Sequence, residues 1–185
     1  SCNTKRCRRC LIGLNVPHLY ALQGAMASRS EAALLTATKE IISTQGIKNL
    51  AMIDIADLSE VSRATLYNHF RDKDAVLYSL LSREIISLFE NAPKNPAELL
   101  EYFSLAISAD PALAGMRSHD PAIVATMLMR SDDKIWHAID AFFLSALGSE
   151  TKAGIAIAWL LAQVIQPLTP EQSRAQSSQL LHAYL

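Results

Sequence analysis

Apolar residues along this chain recur at every third and fourth position, in runs separated by short polar punctuation. Ser28-x-x-Glu31 has the form of a capping box, in which each side chain satisfies a free amide at the start of a helix. Leu34, Leu35, Ala37, Ile41 and Ile42 follow on one helical face until Gly46 stops the run. Two short apolar segments, 52–58 and 62–69, come next with three residues between them. Residues 73–89 then read as a long helix with Val76, Leu77, Leu80, Leu81, Ile85 and Leu88 on its inner face.

The segment Asn91-Ala-Pro-Lys-Asn-Pro96 interrupts the pattern, and a domain boundary is expected there. Beyond it, helix starts are written as a capping residue followed by proline: Asn95-Pro96, Asp110-Pro111, Asp120-Pro121 and Thr169-Pro170. Glu98 and Gln172 complete capping boxes at the first and last of these. Residues 132–147 carry Ile135, Trp136, Ile139, Phe142, Phe143 and Ala146 in helical register. Gly148 ends that helix, and Ser149 is placed to cap the next, which runs to Gln166. No stretch shows the alternation of a half-buried strand. The expected class is all-α.

Composition agrees. Ala (27) and Leu (26) dominate the 185 residues, which favours helices over strands. The longest apolar run, 153–162, falls well short of the roughly 18 residues that span a bilayer, so no membrane helix is expected. The net charge of −1 conceals a split, because residues 1–25 carry Lys5, Arg6, Arg8 and Arg9 and no acid. Nucleic-acid binding by the acidic remainder would need a local basic patch, since the global field opposes it. All three cysteines, Cys2, Cys7 and Cys10, lie in the basic head. Three ligands without a fourth do not make a structural zinc site, and a body without cysteine fits a reducing cytoplasm. Asn15, Pro17 and His18 break the apolar stretch a secretory signal would need. Residues 1–25 therefore read as a flexible basic extension, or as a stretch translated ahead of a start at Met26.

Residues 50–81 hold the informative pattern. Two short helices joined at Ser59-Glu60-Val61, with Ile55, Ala56, Val61, Leu66 and Phe70 as core positions, form a helix–turn–helix. The second helix offers Arg63, Thr65, Tyr67, Asn68 and His69, donors suited to phosphates and base edges, although an ordinary helical hairpin with a polar face has the same spacing. The ordered set Ile55, Ala56, Val61, Ser62, Thr65, Leu66, Tyr67, His69, Phe70, Lys73 and Leu77 resembles the DNA-binding domain of TetR-family (tetracycline-repressor-like) regulators over roughly residues 30–80. Two positions depart from that family pattern. Ala51 stands near the start of the first helix of the pair, where a Thr or Ser is usual, and Glu60 stands in the turn where a Gly is usual.

The resemblance implies an N-terminal helix–turn–helix domain over 26–90 and a helical ligand-binding and dimerisation domain over 91–185. It also implies roles. Ser62 would cap the recognition helix; Arg63, Ala64, Thr65 and Asn68 would face the major groove; Tyr67, His69 and Lys73 would hold phosphates. The implied protein is a bacterial, cytoplasmic transcriptional repressor, a homodimer through residues 149–184, released from double-stranded operator DNA by a small-molecule effector. The alternative from another class is a helical interaction module whose DNA-binding surface has decayed, motivated by Glu60, Ala51 and the acidic body.

An apolar ligand site is expected from flexible and aromatic side chains, Met127, Trp136, Phe143 and Trp159, with His137, Asp140 and Gln163 as polar groups. No enzyme is expected. Ser118-His119-Asp120 are consecutive, so they cannot align as nucleophile, base and orienting acid, and a cap before Pro121 accounts for Asp120. Asp133, His137 and Asp140 share a helix face but lack a matching set on a partner helix, so no metal is expected. Six glycines leave no phosphate-binding loop, and no cofactor is expected.

Overall fold

A computed structural model describes residues 28–129 and 132–184; the basic extension lies outside the described residues. The described residues form ten α-helices and no strand. They are α1 (Arg29–Gln45), α2 (Met52–Ser59), α3 (Arg63–His69), α4 (Lys73–Glu90), α5 (Pro96–Ala109), α6 (Pro111–His119), α7 (Pro121–Met127), α8 (Lys134–Leu147), α9 (Glu150–Ile165) and α10 (Pro170–Tyr184).

The punctuation acts locally, as side-chain chemistry requires. Ser28 Oγ accepts from Glu31 N–H, Asn95 Oδ1 from Ala97 N–H and Asp110 Oδ1 from Leu113 N–H. At α10 the box closes in both directions: Thr169 N–H donates to Gln172 Oε1 at 2.9 Å, and Gln172 N–H to Thr169 Oγ1 at 3.3 Å. Gly148 ends α8 in the left-handed conformation (φ 72°), where a side chain would be strained. Two caps are corrected. Ser149 precedes α9 but makes no capping hydrogen bond with its side chain. Asp120 precedes α7 yet turns its carboxylate away from that helix, toward the chain after α1.

Two apolar cores form, and neither respects a cut at residue 91. The first gathers Leu34, Leu35, Ile41, Ile55, Leu66 and Val76, and it also takes in Ala112, Met116 and Val124 from α6 and α7. The second is aromatic: Phe89, from the end of α4, stacks on Phe142 with ring centroids 4.0 Å apart, and Phe103 packs against Phe142 and Phe143. Helix α4 has 18 residues and so is about 27 Å long. Its two ends necessarily lie in different cores. Leu81, assigned to its inner face by periodicity, is exposed, while the adjacent Ser82 is buried.

Helix α6 lies directly on the C-terminal half of α1. A Cβ at Gly115 would collide with the carbonyl oxygens of Ile42 and Ser43, so only glycine permits this approach. One end of α6 is tied by Asp110, whose Oδ2 lies 2.7 Å from Lys39 Nζ. The other end is tied by Asp120, only 1% exposed, which accepts from Ile47 N–H at 2.5 Å and Lys48 N–H at 3.2 Å.

Candidate nucleic-acid interface

The candidate surface for nucleic acid is built from α2, its turn and α3. Ile55, Ala56 and Leu66 are buried and clamp the two helices together, Ile55 and Leu66 contributing about 1.5–3 kcal/mol each. The turn is closed by Val61 N–H donating to Ala56 O at 3.2 Å. It passes through Glu60 at φ 56°, ψ 25°, a left-handed residue carrying a Cβ. Such a conformation costs a non-glycine residue roughly 1–2 kcal/mol. Ala51, at the start of α2, supplies no side-chain cap. Both departures seen in the sequence are thus structural weaknesses at the two ends of one helix.

Helix α3 begins at a working cap. Ser62 Oγ accepts from Thr65 N–H at 3.1 Å and lies 2.8 Å from Thr65 Oγ1. With Leu66 buried beneath, Arg63, Ala64, Tyr67 and Asn68 share the outer face and are exposed. Tyr67 is 57% exposed, which excludes its burial against α2. Thr65 sits between, half-buried and engaged with Ser62.

His69 and Lys73 have protein partners that the sequence did not reveal. His69 Nε2 lies 2.9 Å from Ser30 Oγ and 3.3 Å from Ser28 Oγ, at the start of α1. Lys73 Nζ donates to the Ile47 carbonyl at 3.3 Å. Lys73 nevertheless keeps donor capacity, since an ammonium has three protons, and His69 has a second ring nitrogen that is donor or acceptor according to its tautomer. Between them, Asp72 caps α4 by accepting from Ala75 N–H at 2.9 Å. That hydrogen bond, reinforced by the Arg71 guanidinium at 2.7 Å, holds the Asp72 carboxyl below the usual carboxylate range.

Behind this surface, Lys39 lies between Glu84 of α4 (2.5 Å) and Asp110 before α6 (2.7 Å). Burial disfavours its charge, but the hydrogen bonds to Asp110 and Glu84 outweigh burial and raise its pKa above the ordinary lysine value. Three elements are joined by this one ammonium.

The residues expected to hold an apolar ligand do not converge on one cavity. Trp136 and Phe143 are buried in the aromatic core, and Trp159 packs at its edge, its indole N–H donating to Gln176 Oε1. Gln163 is buried, but its Oε1 is taken by Ser104 Oγ (2.6 Å) and Ser108 Oγ (3.2 Å), in a network that continues from Ser104 Oγ to Ser173 Oγ (2.8 Å). The network joins α5, α9 and α10. His137 projects outward and pairs with Asp132 (2.8 Å), while Met127 is exposed at the end of α7. Asp140, half-buried on the turn after His137, is in neither core. Asp133, considered as a metal ligand, caps α8 through the amides of Ile135 and Trp136.

Residues 34–80 match the model of the bacterial regulatory proteins of the tetR family. The chain carries a TetR-family DNA-binding domain. The match covers the helix–turn–helix together with most of α1 and the first half of α4. No curated protein matches the chain. A solved structure named dihydroxyacetone kinase operon activator DhaS superposes with a TM-score of 0.62 at 13% identity, covering 84% of this chain and 95% of that one. At that identity the likeness establishes a shared architecture, so the TetR-family domain is followed by helices arranged as in that regulator. No described helix is long and apolar enough to cross a membrane.

Proposed function

We propose that this protein is a dimeric transcriptional regulator that binds operator DNA through α3 and leaves it when a small apolar ligand enters the second core. The observation that carries the reading is the outer face of α3. Arg63, Ala64, Tyr67 and Asn68 stand free of the protein, behind a serine cap and over a buried Leu66, inside a segment that matches the TetR family. In this reading Arg63, Ala64, Thr65 and Asn68 face the major groove, and Tyr67, His69 and Lys73 hold the backbone. The division into a DNA-binding part, 26–90, and a sensing part, 91–185, belongs to the same proposal. The expected repression draws no support from DhaS, which is named an activator, so the reading rests on operator binding and not on its sign. An apolar ligand of the second core would have to displace rings that now pack on each other.

The test is the affinity of the full chain for DNA flanking its own gene and for random DNA, across a salt series. Specific binding with a steep salt slope is expected. Lys73→Ala should weaken both DNAs alike and lower the slope by about one per half-site. Asn68→Ala should relax base preference at one position, by about 1–3 kcal/mol if its contact is bidentate. Equal, weak binding of both DNAs by the wild type would favour the interaction module instead.

A further inference from the structure

The triangle of Ser28, Ser30 and His69 joins the start of α1 to the last residue of α3 across about forty residues of sequence, and two directions of proton donation are open to it. Glu31 N–H donates to Ser28 Oγ at 3.2 Å. Ser28 Oγ lies 2.9 Å from Ser30 Oγ, and Ser30 Oγ lies 2.9 Å from His69 Nε2. If Ser28 donates to Ser30 and Ser30 to the ring, each oxygen accepts one proton and gives one, in a single one-way chain that begins at the positive end of the α1 dipole. The reverse direction makes Ser28 Oγ accept twice and returns its own proton to solvent. The one-way chain requires Nε2 to be an acceptor, so a neutral His69 carries its proton on Nδ1. A histidine ring's tautomer is set by the hydrogen bond its other nitrogen makes. The ring is also flanked by Phe70, whose centroid lies 6.1 Å away at a 44° tilt.

We propose that Ser30, backed by Ser28, is a positioning residue that fixes His69 as the Nδ1–H tautomer and leaves that N–H as an uncharged donor for a DNA phosphate. The phosphate part rests on the DNA-binding reading above; the tautomer part does not. The arrangement gives His69 a donor at neutral pH without requiring an imidazolium.

The experiment uses the full chain with ¹⁵N-labelled histidine, His69 being assigned by His69→Gln. Two-bond ¹H–¹⁵N correlations are recorded at about pH 8, above the ordinary histidine titration. Wild type should show the Nδ1–H pattern, Ser30→Ala the Nε2–H pattern that an unconstrained side chain prefers, and Ser30→Thr the wild-type pattern again. In parallel, Ser30→Ala should weaken operator and random DNA equally, by about three- to tenfold, with Ser30→Thr restoring affinity. An Nε2–H ring in the wild type, or a Ser30→Ala protein with unchanged tautomer, overturns the proposal. A tautomer that responds as stated while affinity for DNA does not change overturns the phosphate role. A tautomer that responds in a wild type without DNA affinity upholds the positioning of the ring and sinks the DNA-binding reading.

Discussion

Asp120 accepts the backbone N–H of Ile47 at 2.5 Å across 73 residues of chain, and the same carboxylate takes the N–H of Lys48 at 3.2 Å. The Ile47 carbonyl is held in turn by Lys73 Nζ at 3.3 Å. One peptide segment, just past α1, is thereby gripped by the helix that follows α3 and by the junction of α6 and α7. Motion of α6 therefore bears on the end of α1 and the start of α4 while these bonds persist.

Removing that grip should be costly. Asp120→Ala leaves the amides of Ile47 and Lys48 short of an acceptor at a part-buried site, and an expected loss of about 1–3 kcal/mol follows. Asp120→Asn keeps one acceptor oxygen and should lose less. Gly46→Ala should also destabilise, because its Cβ would collide with the Asp120 carboxylate and the backbone there has φ 78°. Urea midpoints at unchanged m-value measure all three. A midpoint for Asp120→Ala equal to that of wild type would show the bonds to be idle.

The two ends of α2 should be improvable. Glu60→Gly relieves a left-handed residue and should stabilise by about 1 kcal/mol. Ala51→Ser supplies the missing cap and should add about 0.5–2 kcal/mol. Glu60→Gln separates backbone from charge: it keeps the strain, so stability should hold, while loss of the carboxylate should raise affinity for any DNA. Thermal melts and binding at fixed salt decide it; a Gln variant stabilised as much as the Gly variant would place the penalty in charge and not in backbone.

Assembly is testable on α9 without damaging the core. Thr151, Ile155, Ala158, Ala162 and Ile165 recur at alternating intervals of four and three, and all but the half-buried Ile155 are exposed. This outer stripe is where a second copy would pack. Ala162→Glu or Ile165→Glu should therefore yield a folded monomer by light scattering, from a wild type that is a dimer at micromolar concentration. Leu161 and Leu180 are poor choices for this test, since both pack against the second core and would report folding instead. A monomeric wild type would end the proposal.

Acid should release the cap of α4. Asp72 has a folded pKa below its ordinary 3.8, first through the Ala75 N–H and then through Arg71. The unfolded chain therefore binds the proton more readily, so the contribution is complete above the ordinary carboxylate range and is lost as pH falls through the folded value. The stability gap between wild type and Asp72→Asn should be largest near neutrality and close in strong acid. A gap independent of pH would mean that Asp72 acts without its charge.

The sequence alone determined the helices and their starts, because capping, proline placement and a 3.6-residue period are local properties. Ser62 over α3, the reciprocal Thr169–Gln172 box and the stop at Gly148 needed only neighbours within four residues. The helix–turn–helix was legible only partly in this way: its spacing fits an ordinary helical hairpin equally well, and the resemblance to the TetR-family pattern singled it out and marked Ala51 and Glu60 as departures. Tertiary structure decided everything that joins distant segments. Asp120 reads as a cap before Pro121, and nothing near it in the chain shows that its partners are the amides after α1. Gln163 reads as a polar group in an apolar helix, and only the packing of α5 and α10 turns it from a ligand candidate into a structural bridge. His69 looks free until α1 brings two serines to it. In each case a polar side chain has several equivalent local uses, and its partner is chosen by which segment the fold brings within 3 Å.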